Sequence, residues 1–390
     1  MKSGTPDSIA YAFTFLLTRI WLCGRQLPEI DDRLLREVKP PYILLANHES
    51  FEDFSYIARM AHPRRPAYLV NQYYCTRPLL KTLARRGGFL SKKLFTRDTS
   101  TGLGILRTLR KGFPVVIFPE GRLSPDGRSN PIAAGGAGLY RAVGKDLVLV
   151  RIDGAYFAHP KWRKKVYRVP VRARVVRVLR AEEMQEMSDE EIDRAIADAL
   201  RNDASFSAKA VYPQKDKAEG LETLLYRCFF CGALYQTAGA GNEFMCRACG
   251  RRLQLDETYH FTQAPFSIPG YYDAIRRMEA KELNGLSLRA DVRTRIFSAD
   301  GHTRREEGAC ALSPDSFSYR SGKISFSIPT EELPALAFSC GKEFELYHGD
   351  ELYYFYPKET PNQAARWALA VDLLAEERRA RQAGKEEEPK

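Results

Sequence analysis

No stretch of 18 uncharged apolar residues runs anywhere in the 390 residues, which excludes a polytopic membrane protein. No heptad is sustained and no repeat is strict, which excludes coiled-coil and collagen-like architectures. No Gly-x-Ser-x-Gly elbow occurs, so a serine nucleophile of the α/β-hydrolase kind is absent. Cysteine is scarce, and its eight copies are not spread as a disulfide framework would spread them. Cys228, Cys231, Cys246 and Cys249 form two tight pairs, whereas Cys23, Cys75, Cys310 and Cys340 stand alone. That usage suits a reducing compartment with one metal site. Dinucleotide and nucleotide fingerprints are missing too: Gly102-x-Gly104 and Gly136-x-Gly138 lack a third glycine, and Asp146 follows Gly144-Lys145 where a P-loop needs Ser or Thr.

What is present is an ordinary globular balance, 44% hydrophobic and 28% charged, long enough for two or three domains. The net charge of +11 is uneven. Residues 1–180 hold 33 basic and 13 acidic side chains, a balance of +20, which leaves −9 for the rest. A basic first half favours a polyanionic or phosphate-bearing partner: nucleic acid, anionic lipid or a phosphorylated substrate.

Continuous apolar runs at Tyr42–Ala46, Tyr68–Val70, Val115–Phe118 and Leu147–Ile152 read as strands buried on both faces. Phe54–Ala61, Pro78–Arg86, Thr101–Lys111 and Gly138–Val143 read as helices between them, which gives an α/β layout. Ser188, with Glu191 three residues on, marks a helix start within a helical stretch over Met184–Asp203. Ahead of these, Ile9–Cys23 is an apolar helix with Arg19 and Trp21. It is too short to span a bilayer, and either lies in the membrane interface or packs on the core. Nine basic residues in Lys161–Arg180, partly on an alternating strand over Val169–Leu179, suit either an anionic bilayer or a solvated edge.

Two segments carry chemistry. Asn47-His48-Glu49-Ser50-Phe51-Glu52-Asp53 follows directly on a buried strand, so His48 sits at a carboxyl edge, where open α/β sheets bind ligands. Asp53, at the start of the next helix, can hold the imidazole. A His paired with a carboxylate can take a proton from an alcohol; the alternative is a helix-capping network without chemistry. Phe118-Pro119-Glu120-Gly121-Arg122 follows a second buried strand and belongs at the same edge. Arg122 suits bidentate phosphate binding, and Arg97 is a second candidate for it.

Residues 8–180 resemble the glycerolipid acyltransferases, whose type member is lysophosphatidic acid acyltransferase, on an Asn-His-x4-Asp block, a Gly…Arg block and a Phe-Pro-Glu-Gly block in that order. The resemblance implies a mixed sheet covered by helices, with His48 as general base and Asp53 orienting it. It implies that Arg97, Glu120, Gly121 and Arg122 bind a glycerol-phosphate acceptor. It further implies transfer of an acyl chain from acyl-CoA or acyl carrier protein to a lysophospholipid at the cytoplasmic face of the cell membrane, with no further organic cofactor. Two departures stand out: Arg122 replaces the Thr or Ser frequent after Glu-Gly, and Asp146–Gly154 lacks the family's proline.

Cys228-x-x-Cys231-Gly232 and Cys246-x-x-Cys249-Gly250, fourteen residues apart, form the pattern of a zinc ribbon with a structural Zn²⁺. From Leu286 the pattern turns to β, and Pro361–Arg379 reads as a closing helix. This element order resembles a pleckstrin-homology-like barrel, and its many aromatics read as core. The organisation expected is an interfacial helix (1–25), an acyltransferase domain (26–213), a polar linker over 214–220, a zinc ribbon (221–257), a β-rich domain with its helix (258–380) and a charged tail (381–390). A non-catalytic ribbon adaptor for nucleic acid or protein, with nucleic acid disfavoured, is the alternative from another class. Acyl transfer to an aminolipid or glycan hydroxyl is the alternative within the same class.

Overall fold

In a computed structural model the chain forms two compact units, Met1–Ala210 and Val211–Lys390. The structure describes residues 6–23, 28–76, 82, 84, 86–96, 99–132, 135–207, 210–263, 267–360 and 362–386. Part of the helix expected over Pro78–Arg86 therefore lies outside the described residues.

The first unit is built on a seven-stranded mixed sheet. Its strands are β1 (Pro28–Asp31), β2 (Ile43–Ala46), β3 (Ala67–Asn71), β4 (Phe89–Lys92), β5 (Val115–Ile117), β6 (Leu147–Asp153) and β7 (Val171–Leu179), in spatial order β1-β7-β6-β2-β5-β3-β4. Pairing is parallel except between β6 and β7. The central strands β2 and β5 are buried throughout, as continuous apolar runs require when helices cover both faces. One face packs on the helices Thr99–Arg110, Ala137–Val143 and Asp189–Leu200 through Leu45, Ile105, Val115, Leu149, Ile192 and Ile196. Ser188 caps the last of these in a capping box with Glu191, as its spacing predicts. That cap also divides the helical stretch expected over Met184–Asp203. Ala181–Glu186 is a separate short helix, and the chain is extended at Met187 and Ser188.

Register places the functional edge. β2 and β5 run parallel with Leu45 opposite Ile117, so the residues three beyond each, His48 and Glu120, leave the sheet side by side.

The N-terminal helix Ser8–Cys23 buries one face and leaves another exposed. Tyr11 and Thr18 are buried, and the Phe15 ring stacks on His62 with centroids 4.4 Å apart. Ile9, Phe13, Leu16, Leu17 and Ile20 form a stripe left in solvent, Ile9 at 81% and Ile20 at 63% exposure. The Trp21 side chain lies outside the described residues. No helix among the described residues is long and apolar enough to cross a membrane.

Four arginines of the basic run Lys161–Arg180 pair with acids of their own unit. Arg172, Arg174, Arg177 and Arg180 lie 2.8–3.5 Å from Glu29, Asp153, Glu183 and Asp146 respectively. Arg163 is buried, donating to the Phe157 carbonyl and lying over the Tyr167 ring.

The second unit begins with a three-stranded antiparallel ribbon, β8 (Thr237–Ala240), β9 (Glu243–Cys246) and β10 (Arg252–Gln254). Residues 214–220 pack against it and do not form a free linker. Lys217 is buried with its Nζ donating to the Gln214 and Tyr212 carbonyls, and its backbone N–H donates to Asn242. The helix Ile268–Lys281 follows, capped by Ser267 and with Pro269 in its first turn.

Then come β11 (Leu288–Phe297), β12 (Thr303–Leu312), β13 (Ser316–Ser321), β14 (Ser325–Pro329), β15 (Ala337–Ser339), β16 (Glu343–His348) and β17 (Glu351–Pro357), and the helix Gln363–Glu386. The strands form one antiparallel sheet, β14-β13-β12-β11-β17-β16-β15. A four-strand meander and a three-strand meander thus join where β11 pairs with β17. Trp367 from the helix stacks on Phe344 at 4.9 Å and meets Phe317 edge-on in the core, where Tyr353 and Phe355 are also buried, whereas Tyr347, Tyr354 and Tyr356 are half-buried.

Candidate active site and metal centre

The loop after β2 is shaped by its own carboxylates. Asp53 is fully buried. Its Oδ2 accepts backbone N–H bonds from Glu49 at 2.7 Å and Ser50 at 3.0 Å, and its Oδ1 accepts the Ser50 hydroxyl at 3.0 Å. The same Oδ2 lies 2.9 Å from His48 Nδ1. A buried carboxylate there holds the proton on Nδ1 and leaves Nε2 as the basic nitrogen of the neutral ring. No group among the described residues bonds Nε2, and the His48 side chain keeps 23% exposure. Phe118 stacks under the ring at 4.3 Å and fixes its plane.

Two further carboxylates pin this loop. Glu49 is buried, accepting the Tyr156 backbone N–H at 2.9 Å and the Asn202 side-chain amide; burial pushes its carboxyl well above the usual range. Glu52 is buried beside His159, with Oε1 and Nδ1 3.2 Å apart. Asn47 ties the end of β2 to β6 by exchanging two hydrogen bonds with the Ile152 backbone.

The loop after β5 comes to His48 from the other side. Glu120 is buried, and its Oε1 accepts the His48 backbone N–H at 2.9 Å. Oε2 accepts both the backbone N–H and the side-chain amide of Asn130, at 2.6 and 2.9 Å. Burial outweighs these donors and pushes the Glu120 carboxyl up to about 7. Glu120 therefore holds the backbone under the histidine. Gly121 has φ +69°, and a Cβ on it would come within 3.2 Å of the Phe95 ring, so this turn needs glycine. Arg122 Nε donates to Asn130 Oδ1 at 3.1 Å, which anchors the guanidinium next to Glu120's partner. His48, Asp53, Glu120, Gly121 and Arg122 thus meet at one sheet edge, whereas Arg97 lies outside the described residues. Sequence reasoning missed Asn130 and Asn202, which no motif spacing marks, and gave Glu49, inside the Asn-His-x4-Asp block, no role; all three bury polar groups behind the loops.

In the second unit the four cysteine sulfurs of Cys228, Cys231, Cys246 and Cys249 all lie within 4.8 Å of one another and could hold a metal ion. A tetrahedron with Zn–S bonds of about 2.3 Å has edges of ~3.8 Å. The Cys228–Cys249 and Cys231–Cys246 sulfurs are 3.9 and 3.8 Å apart. The two knuckles repeat one backbone. Gly232 N–H donates to the Cys228 carbonyl and Gly250 N–H to that of Cys246, each at 2.9 Å and each with positive φ. The donor set and its spacing fit zinc.

This centre is tied into the unit around it. Arg227 donates to the Gly232 carbonyl at the knuckle and to Glu279 and Glu282 at the end of the helix Ile268–Lys281. Arg366, on the C-terminal helix, donates to the other oxygen of Glu279.

Comparison with known proteins bears on the first unit. Residues 26–171 match the family model described as Acyltransferase. Among solved structures, the 1-acyl-sn-glycerophosphate (LPA) acyltransferase PlsC of Thermotoga maritima is 20% identical, with a TM-score of 0.39, over 50% of this chain and 74% of that one.

Proposed function

With an acyltransferase-family domain in residues 26–171 as the premise, we propose that the first unit moves a fatty acyl chain from an acyl thioester to the free hydroxyl of a lysophospholipid. The reading rests on one observation: a histidine with Nδ1 bound by a buried carboxylate and Nε2 unbonded among the described residues, at the carboxyl edge of the sheet. Nε2 of His48 takes the acceptor's hydroxyl proton as the oxygen attacks the thioester carbonyl. The Asp53 carboxylate stabilises the imidazolium formed. When the tetrahedral intermediate collapses, the C–S bond breaks and the proton passes from His48 to the departing thiolate, leaving an ester and a free thiol. No acyl-enzyme is required.

Arg122 supports an acceptor with an anionic head, lysophosphatidic acid first among them, with Arg97 as its sequence-derived companion. Gly121 lets the backbone turn beside the acceptor. Acyl-CoA and acyl carrier protein are the donor classes. The apolar stripe Ile9–Phe13–Leu16–Leu17–Ile20 supports peripheral attachment to a membrane surface, the cytoplasmic face being the one on which both donors occur. The four cysteines support a structural Zn²⁺ in the second unit.

The test is acyl transfer by the purified full chain to a panel of lysolipids, including an aminolipid hydroxyl, with each donor. The expected result is transfer to lysophosphatidic acid and a ~10²–10⁴-fold loss in His48→Ala. Undiminished transfer by a folded His48→Ala protein would falsify the mechanism.

A further inference from the structure

Asn130 occupies a position that no motif predicts. It lies in the loop after β5, ten residues beyond Glu120, and is buried. Its side chain has one acceptor and two donor hydrogens, and all find partners. Oδ1 accepts Arg122 Nε–H at 3.1 Å, while Nδ2 donates to Glu120 Oε2 at 2.9 Å and to the Arg122 carbonyl at 3.3 Å. The orientation is dictated by chemistry. A flipped amide would set NH₂ against a guanidinium N–H and oxygen against a carboxylate. The backbone N–H of the same residue gives Glu120 Oε2 a second donor at 2.6 Å.

We infer that Asn130 is a positioning residue for the reaction, the node through which the base and the acceptor-binding arginine are held in one geometry. Along one arm it fixes Glu120, whose other oxygen holds the His48 backbone N–H. Along the other it fixes the Nε edge of Arg122, and with it the plane of the guanidinium. The loop that carries Asn130 is itself secured. Ser129 N–H donates to the Asn202 carbonyl, Ser129 Oγ donates to the Leu200 carbonyl, and Asn202 N–H donates back to Ser129 Oγ. Asn202 also bonds Glu49 in the histidine's own loop. A rigid frame thus sets both sides of the cleft before substrate arrives. The node favours an acceptor whose anionic group sits at a fixed distance from its nucleophilic hydroxyl, as in a glycerol 3-phosphate head group. This part of the inference rests on the acyl-transfer reading.

Two measurements on the full chain test it. In the first, protein labelled with ¹⁵N-histidine is titrated, and the His48 amide, assigned by its loss in His48→Ala, reports protonation of Glu120 through their hydrogen bond. Asn130→Ala removes a donor that favours the carboxylate, so the titration should move upward by roughly 0.5–1 unit. In the second, kinetics against a phosphate-bearing lysolipid should show acceptor KM rising about tenfold in Asn130→Ala. That rise should not add to the effect of Arg122→Ala in the double variant, because both break one arm. If Asn130→Ala does not fold, Asn130→Ser, which like alanine keeps the backbone donor but adds a small polar side chain, gives the same two readouts. An unmoved His48 amide titration, or full additivity with Arg122→Ala, would overturn the assignment. The amide titration needs no substrate. A protein that transfers no acyl chain but shows the shift refutes the acyl-transfer reading and leaves the node standing.

Discussion

Replacing Asp53 by Asn separates two roles of one carboxylate. Oδ2 is the meeting point of three donors, the Glu49 and Ser50 backbone N–H groups and His48 Nδ1–H. Oδ1 faces only the Ser50 hydroxyl, which can turn and accept instead of donate. In Asp53→Asn the amide oxygen must therefore take the Oδ2 place, because NH₂ there would oppose three donors. The amide then still accepts Nδ1–H, so the loop stays folded and Nε2 remains the basic nitrogen. What is lost is the charge that stabilises the imidazolium. A hydrogen bond to a charged partner contributes ~1.5–3 kcal/mol against ~0.5–1.5 for a neutral one, a difference of ~1–2 kcal/mol. That converts to roughly 5- to 30-fold in kcat. The loss should be clearly smaller than in His48→Ala, with acceptor KM little changed. Steady-state kinetics on purified variants, with a melting curve for each, would measure it. A loss as large as that of His48→Ala in a folded protein would show that the amide has flipped and turned the ring. An unchanged kcat would show that the charge of Asp53 has no part in the reaction.

Three further outcomes follow from the geometry. Glu120 has a folded-state pKa raised to about 7 from a normal 4.5, so its contribution to stability is complete below about 4.5 and is lost as pH rises through about 7; urea midpoints across this window should show a shallower decline in Glu120→Gln, and parallel slopes would refute the burial argument. Leu16→Asp with Ile20→Asp puts charge into the exposed stripe of the N-terminal helix without touching Tyr11 or Thr18, and should reduce co-sedimentation with anionic vesicles by at least about tenfold at unchanged melting temperature; full retention on vesicles would assign the stripe elsewhere. One Zn²⁺ per chain should be found by elemental analysis, and because structural zinc supplies ~10–16 kcal/mol of apparent binding energy, Cys228→Ser should unfold the knuckles and speed amide exchange in the helix Ile268–Lys281 through loss of the Arg227 bonds; exchange confined to residues 221–257 would show that the ribbon stands alone.

The sheet and its functional edge were legible because they rest on local signals. A strand buried on both faces needs a continuous apolar run, and Ile43–Ala46, Val115–Ile117 and Leu147–Asp153 supply one each. The residues just beyond two of those runs form the candidate site. β1 and β4 were not legible: Pro28–Asp31 and Phe89–Lys92 are four residues long, and each mixes apolar with charged or polar residues at the sheet's edges. The cysteine knuckles announced themselves by spacing. Their attachment to the rest of the second unit did not, since Arg227 meets partners 52 and 55 residues away and only folding brings them together.

The buried carboxylates explain why Glu120 carries a different expectation in sequence and in structure. From the sequence, Asp53 is expected to hold the histidine and Glu120, by resemblance, to bind the acceptor, while Glu49 and Glu52 carry no assigned role. In the fold all four are buried within the frame around one histidine, and each is bonded to the histidine, to its loop or to a segment that packs on it. Burying that many acids is unfavourable unless donors converge on them; Glu49 has Tyr156 and Asn202, Asp53 has the Glu49 and Ser50 backbone, and Glu120 has Asn130 and the His48 backbone, while Glu52 lies against His159. The cost is borne where it fixes a geometry. An imidazole held at Nδ1 by Asp53, at its backbone by Glu120 and across its face by Phe118 has little freedom left to lose, which suits the proposed approach of an acceptor hydroxyl to Nε2. On the proposed reading, specificity falls to the residues around Arg122, whose Nε donates to Asn130 Oδ1.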